Sequence, residues 1–320
     1  MRSAISLGLD IGSSRVRLAL VERVAGKPRL HAVAARDLPA DVATHGEVVR
    51  PELVAASIEE MLAELNTDER RCVCGIGTPS ASLRSLRLPT MTSLERTQMA
   101  RLDVERQLGR KIDDVVVRIH PVPERAGTYQ VGAVARRALA TRVAAARRAG
   151  LRVIAVDHEA MALRRCLPFA DAIVDIGQDR TTCYAFSESE CSMTWTGTGG
   201  ASVTHTIGRD LQLEFHTAER RKRIVGTAGA GERAISDLIR EIAHMFEASK
   251  KMQRGAGTMC VVGNGSRVNG LEDRLRDRLG IAYRPNAAAV ELGDRVPADV
   301  SHRAMADWSL AIGLALWSRT

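Results

Sequence analysis

The chain has 320 residues, 45% hydrophobic and 26% charged, with a formal net charge of +8. That length exceeds what one small core organises, so two or more lobes are expected. Aromatic residues make up only 3%, which argues against a base-stacking platform for single-stranded nucleic acid, and no nucleic-acid partner is expected. The positive charge reads first as a solvated basic surface and second as attraction to an anionic membrane or acidic partner. Its densest run, Arg220–Arg223, falls in a predicted helix and is too short to indicate DNA binding. Six cysteines (Cys72, Cys74, Cys166, Cys183, Cys191 and Cys260) form no C-x-x-C pair. They read as reduced, buried thiols of a cytosolic chain and not as a metal centre. No signal peptide is expected, and no apolar run approaches bilayer-spanning length.

In chain order, Ile5–Ile11, Arg15–Glu22 and Leu30–Arg36 read as three strands, followed by an amphipathic helix over Pro51–Leu65 and a buried strand at Cys72–Gly77. The texture then changes. A strand at Leu83–Leu88 precedes a helix capped by Thr92 or Ser93, running to Leu108 and stopped by Gly109. Strands at Val115–His120 and Tyr129–Ala135, a helix at Arg136–Ala149 and a strand at Leu151–Val156 complete a β-α-β-β-α-β block that interrupts the first lobe. His158–Cys166 is a helix, and a second set of hairpins covers Ala172–Trp195. Helices are expected at Ser202–Leu211, His216–Arg223, Gly231–Met252, Val268–Leu279 and His302–Trp317, with a buried strand at Thr258–Val262.

One pattern occurs twice. Leu7–Leu20 and Ala172–Phe186 each run apolar strand, Asp-Ile-Gly, polar tip, second strand. An Asp at a strand end can hold a hydrated divalent cation, and a Gly lets backbone N–H groups approach phosphate oxygens. Either copy alone is an ordinary strand-end turn. The pair, Asp10-Ile11-Gly12-Ser13-Ser14 and Asp175-Ile176-Gly177-Gln178, suggests two related halves closing on one nucleotide. A third element, Gly263-Asn264-Gly265-Ser266, joins a buried strand to a helix; alone it is a generic turn, and beside the other two it is a place for close backbone approach to a ring or phosphate.

In this order the three elements resemble the first phosphate loop, second phosphate loop and adenosine loop of the actin-like ATPase superfamily. Val156–Cys166 and Ser309–Leu316 resemble its two connecting helices. Within that superfamily, Ala149–Leu163 and Thr196–Lys222 resemble PilM-type pilus assembly proteins, which share with the FtsA group an inserted subdomain. The resemblance implies an α/β fold of two ribonuclease-H-like lobes. Residues 1–82 and 156–170, with a returning helix at 302–320, would form the first lobe. Residues 83–155 would form the insert, and 171–301 the second lobe with a helical cap at 196–257.

The resemblance also implies roles. Asp10 and Asp175 would hold Mg²⁺ through water. Gly12, Ser13, Ser14, Gly177, Gln178 and Thr181 would line the phosphate cradle of ATP. Arg17 stands where relatives often carry Lys and is otherwise a solvent-facing strand charge. Glu159, with Asp175, would orient water or metal, or else is a helix-start Glu favoured by the dipole. Glu219 and Lys222, one turn apart, would face ribose and adenine, or else form a surface ion pair. Gly263, Asn264, Gly265 and Ser266 would border adenine. The charged tip Gln178-Asp179-Arg180 departs from the pattern; Arg180 is placed either to pair with Asp179 or to contact phosphate. The implied function is an ATP-binding cytoplasmic scaffold, peripheral at the inner membrane, that docks the N-terminal segment of a bitopic PilN-like partner. Hydrolysis is left open, with a weak ATPase as the most it implies. The alternative reading is a small-molecule kinase of the same superfamily with Asp179 as base. A filament former, or a secretion-system homologue, is a third.

Overall fold

The computed structural model describes residues 5–318 apart from 45, 109–110, 124, 188–189, 249–256, 285–287, 294 and 297–303. Statements of number or absence below refer to the described residues. The expected helix stop at Gly109, the end of the helix expected to run to Met252 and the start of the one expected from His302 lie outside them.

The first lobe begins with β1 (Ile5–Ile11), β2 (Arg15–Val24) and β3 (Lys27–Asp37), a meander whose antiparallel register is set by the hairpin tip between Ile11 and Arg15. A small hairpin, β4 (Ala43–Thr44) and β5 (Glu47–Val48), leads into α1 (Pro51–Leu65) and β6 (Arg71–Ile76). Proline at the first position of α1 supplies a preset φ where no N–H partner is needed. Alternation along β1 divides its side chains. Leu7, Leu9 and Ile11 share one buried cluster with Val54, Ile58 and Met61 of α1. Each such fully buried aliphatic side chain stabilises the fold by roughly 1.5–3 kcal/mol.

The inserted module comprises β7 (Ala81–Arg87), α2 (Ser93–Leu108), β8 (Val115–Pro121) and β9 (Thr128–Ala135). Its sheet order is β7-β9-β8, and Ala100 and Val104 of α2 pack on Val115, Val131 and Ala133. A capping box opens α2: Thr92 N donates to Glu95 Oε2 at 2.7 Å, and Glu95 N donates to Thr92 Oγ1 at 3.3 Å.

The next two elements, within the segment expected to form the insert, pack with the first lobe. Helix α3 (Arg136–Arg148) contributes Ala145 and Ala146 to the cluster built on α1, and β10 (Arg152–His158) pairs parallel with β6 through Val153↔Cys72 and Val156↔Cys74. Both join the first lobe's sheet or pack on it, the sheet running β10-β6-β1-β2-β3. The alanine face of α3 permits the close approach to α1. Nothing between Ala135 and Arg136 punctuates the chain, so the block reads as continuous in sequence.

The second lobe follows α4 (Glu159–Cys166) with β11 (Ala172–Ile176), β12 (Thr181–Phe186) and β13 (Cys191–Thr196). Then come α5 (Gly200–Leu211), α6 (Phe215–Val225), α7 (Glu232–Ala248), β14 (Thr258–Val262), α8 (Leu271–Leu279) and β15 (Ala282–Tyr283). Its sheet order is β13-β12-β11-β14-β15. Val174, Ile176 and Cys183 face Ile207, Leu238, Ile242 and Leu271 of the surrounding helices. Ile173, Tyr184 and Val262 face the other way and join Ala160 and Leu163 of α4 with Ala311 and Ile312 of α9 (Ser309–Ala315). Helices α4 and α9 are therefore packed between the two sheets. Their approach is close enough that a Cβ on Gly313 would lie 1.9 Å from the Ala162 carbonyl oxygen, and one on Gly8 would lie 2.0 Å from that of Ala311. Strand β16 (Glu291–Leu292) returns to pair with β3 at the edge of the first lobe's sheet.

Candidate functional site

The two hairpins close in the same way. Gly12 N donates to Arg15 O at 2.9 Å, and Gly177 N donates to Arg180 O at 2.8 Å. Strand register then places Asp10 opposite Arg17 and Asp175 opposite Thr182, seven positions later in each half. Directly opposed residues of an antiparallel pair share a face, so both pairs look the same way. They border one cavity of about 510 Å³ between the lobes.

Asp10, Gly12, Ser13, Ser14 and Arg17 enter its wall from the first hairpin, and Asp175, Gly177 and Gln178 from the second. Glu159 at the head of α4 and Gly263 and Asn264 after β14 complete the set of expected residues that the fold brings together. Gly263 has φ +82°, and a Cβ there would lie 2.3 Å from Asp175 Oδ1, so the loop can sit against the second hairpin only with glycine. Asp179 and Arg180 line the cavity as well.

The remaining expected residues stand behind the wall. Thr181 is fully buried, and its hydroxyl donates to Thr198 O at 2.8 Å; the hydroxyl on the cavity side belongs to Thr182. Gly265 packs against Ile176, where a Cβ would come within 2.3 Å of Cγ2, and Ser266 Oγ donates to Gly263 O at 2.7 Å. Lys222 is 2% exposed. Its Nζ lies 2.6 Å from Glu219 Oε2 and donates to Thr204 Oγ1 at 2.7 Å and Gly200 O at 3.0 Å. Glu219 and Lys222 thus pin α6 to α5. Arg223 continues the chain of contacts, donating to Glu219 Oε1 at 3.0 Å and to Asn264 Oδ1 at 3.2 Å.

Electrostatics gives the cavity its character. Five carboxylates line it, on Asp10, Glu159, Asp175, Asp179 and Asp307. Burial pushes Asp10 upward from the ordinary carboxylate range against the pull of Arg17 and Arg142. Burial likewise raises Glu159 against Arg180 and Arg142. Asp175 is pushed up to about 7 by burial and by the neighbouring Glu159 charge. Arg17 Nη1 donates to Asp10 Oδ2 at 3.2 Å, while its buried Nε has no hydrogen-bond partner. Buried carboxylates whose proton affinity is raised accommodate an added cation, and an orphaned guanidinium N–H accommodates an added oxyanion. No group of three or more His, Cys, Asp and Glu among the described residues is arranged as a direct metal-ligand set.

Sequence reasoning missed several wall residues. Arg142 reaches in from α3, and no local motif marks it. Gly77 leaves room for Glu159: a Cβ there would lie 1.8 Å from Glu159 Oε2. Thr182 had a usable signal, the seven-residue spacing from Asp175 that matches Asp10 and Arg17.

Comparison with known proteins places this geometry. The chain is similar over 97% of its length to 97% of a chain in a PilM-PilN type IV pilus biogenesis complex, with 26% identity and a TM-score of 0.85. The fold is shared with the ethanolamine utilization protein EutJ from Carboxydothermus hydrogenoformans (16% identity, 99% and 91% coverage, TM-score 0.63). It is also shared with the activator of the 2-hydroxyisocaproyl-CoA dehydratase from Clostridium difficile with bound ADPNP (10% identity, 98% and 93% coverage, TM-score 0.50). The fold is that of the actin-like ATPases. A family model described as type IV pilus assembly protein PilM matches residues 8–319, and the chain belongs to that family.

Proposed function

We propose that the protein is an ATP-binding scaffold of type IV pilus assembly that docks the N-terminal cytoplasmic segment of a PilN-like inner-membrane protein. The observation that carries the nucleotide reading is the convergence of both hairpin tips and Gly263 on one cavity whose carboxylates and guanidinium groups are imperfectly compensated. Asp10 and Asp175 would hold Mg²⁺ through water. Gly12, Ser13, Ser14, Gly177 and Gln178 would cradle phosphate oxygens with backbone N–H groups and side chains, while Gly263 and Asn264 border the base. Arg17 would turn its free Nε to a phosphate oxygen, and Arg180 would do so from the opposite tip. Glu159, beside Asp175, would orient a water near the terminal phosphate, so any hydrolysis is weak and depends on it.

The partner reading follows from family membership and from the solved PilM-PilN complex. No helix among the described residues is long and apolar enough to cross a membrane. The protein would lie on the cytoplasmic side, peripheral to the inner membrane through that partner. The partner segment would enter between the inserted module and the first lobe, and nucleotide would bias the angle between lobes.

MgATP at about 100 times Kd is expected to stabilise the protein by about 2.7 kcal/mol, seen as a rise of several degrees in Tm. A Tm unmoved by MgATP sinks the nucleotide reading. A pull-down with the partner's N-terminal peptide tests docking; failure to bind with or without ATP sinks that part alone.

A further inference from the structure

Arg142 sits on α3 about two helical turns past Ala135, where the chain leaves the inserted module. It is 5% exposed. Its Nη1 donates to the carbonyls of Ile11 at 2.8 Å and Gly75 at 3.4 Å, and its Nε donates to Gly46 O at 3.1 Å. Ile11 leads into the first hairpin tip, Gly75 lies near the end of β6, and Gly46 turns between β4 and β5. One guanidinium therefore ties three separate segments to one helix, two of them, at Ile11 and Gly46, in the cavity wall. The rigid, many-donor fork of arginine suits this, and lysine cannot span the same acceptors.

The foot of α3 is in turn fixed to both stems of the inserted module. Ala135 N donates to Ser80 O at 2.7 Å, joining the exit strand to the entry strand. Gly46 lies against Ser80, where a Cβ would come within 2.3 Å of Oγ. Val48 N donates to Thr141 Oγ1 at 3.2 Å, and Arg137 pairs with Glu47 at 3.0 Å. Pro79, at the entry stem, itself lines the cavity. The guanidinium, the 43–48 hairpin and the two stems form one connected body.

We infer that Arg142 is a positioning residue that couples oxyanion occupancy of the cavity to the setting of the inserted module. The inference rests on the nucleotide reading above. In the free protein the guanidinium is held by neutral carbonyls. A phosphate oxygen offers it a charge-assisted bond, roughly twice as strong as a neutral one. Binding draws donors away from Gly46 and Gly75, and the hairpin and α3 respond together.

The test is amide hydrogen exchange on the full chain, free and saturated with MgATP, for wild type, Arg142→Gln, Arg142→Lys and Arg17→Gln. Arg17 lines the same cavity from β2, and its hydrogen bond is to Asp10 of β1 and not to a residue of α3. In wild type, exchange in α3, β9 and the 43–48 hairpin is expected to change by at least about threefold on saturation. Arg142→Gln is expected to weaken MgATP by about tenfold and to abolish the response at saturation, with Arg142→Lys intermediate. Arg17→Gln should weaken binding while keeping the response. Wild type that binds MgATP without any change in these segments overturns the inference and leaves the nucleotide reading standing, whether or not the variants fold. An undiminished response in Arg142→Gln also overturns it. Wild type that binds no MgATP overturns both.

Discussion

The two hairpins share a turn, a register and a cavity, yet they differ in how the Asp is balanced. Asp10 faces Arg17 across its pair and is bonded to it. Asp175 faces Thr182, a neutral hydroxyl that shares a 3.0 Å hydrogen bond with Thr78 of the other lobe. The first hairpin is thus internally compensated. The second has no such partner: burial first, and then the neighbouring Glu159 charge, raise Asp175 to about 7 against the pull of Arg180 and Arg17. A duplicated backbone need not duplicate an electrostatic role. The first half supplies a preformed charge pair, and the second supplies negative charge that the proposed cation would relieve.

The largest effect expected from breaking this comparison is at Asp10. Asp10→Ala leaves Arg17, 7% exposed, buried without its carboxylate. Removing one member of a buried pair destabilises by about 3 kcal/mol or more. The free protein should melt several degrees lower, and the MgATP shift should vanish as well. A variant that keeps the full ligand shift in thermal denaturation removes Asp10 from the proposed cation site.

Asp175→Asn should act in the opposite direction on the free protein. A carboxyl whose folded pKa is about 7, against an ordinary 3.8, holds its proton more tightly folded than unfolded. Stability from this group therefore falls as pH rises from about 4 to about 7, and the full cost is present above that window. Asp10 and Glu159 are raised for the same reason and add the same sign. The free wild-type protein should melt higher near about pH 6 than near about pH 8 through these groups. Asp175→Asn should raise Tm at the upper pH and flatten the slope while losing MgATP stabilisation. An Asp175→Asn profile parallel to wild type would show that the second hairpin is compensated like the first.

Much of this was legible in the chain. Proline at the start of α1, the Thr92–Glu95 capping box and the alternation along β1 and β11 are local signals, and the elements form where those signals stand. The repeated Asp-Ile-Gly gave both hairpins and their shared cavity. What was hidden depends on pairing across long separations. Strand β10 joins β6 about 80 positions away, so the end of the insert carries no local mark. Arg142 reaches Ile11 across 131 positions and looks in sequence like any arginine of an Arg-rich helix. Lys222 matched an adenine-side motif, but its ammonium is consumed by Glu219, Thr204 and Gly200, contacts that exist only once α5 and α6 pack.

The smallest expected effect separates neighbouring hydroxyls on β12. Thr181 points away from the cavity and satisfies the Thr198 carbonyl at 2.8 Å. Thr181→Val removes that bond and should cost about 1 kcal/mol while MgATP binds as before. Thr182 occupies the position that Arg17 holds in the first hairpin, and its hydroxyl meets Thr78 across the lobes. Thr182→Val preserves shape, removes the interlobe bond and leaves the buried Thr78 hydroxyl unpartnered. It should weaken MgATP by a few-fold, by the loss of one neutral hydrogen bond, and lower the Tm of the free protein at least as much as Thr181→Val does. Calorimetric titration of the two variants ranks them. If Thr181→Val weakens MgATP and Thr182→Val does not, the functional face of β12 is the opposite one, and the match between Arg17 and Thr182 is a coincidence of register.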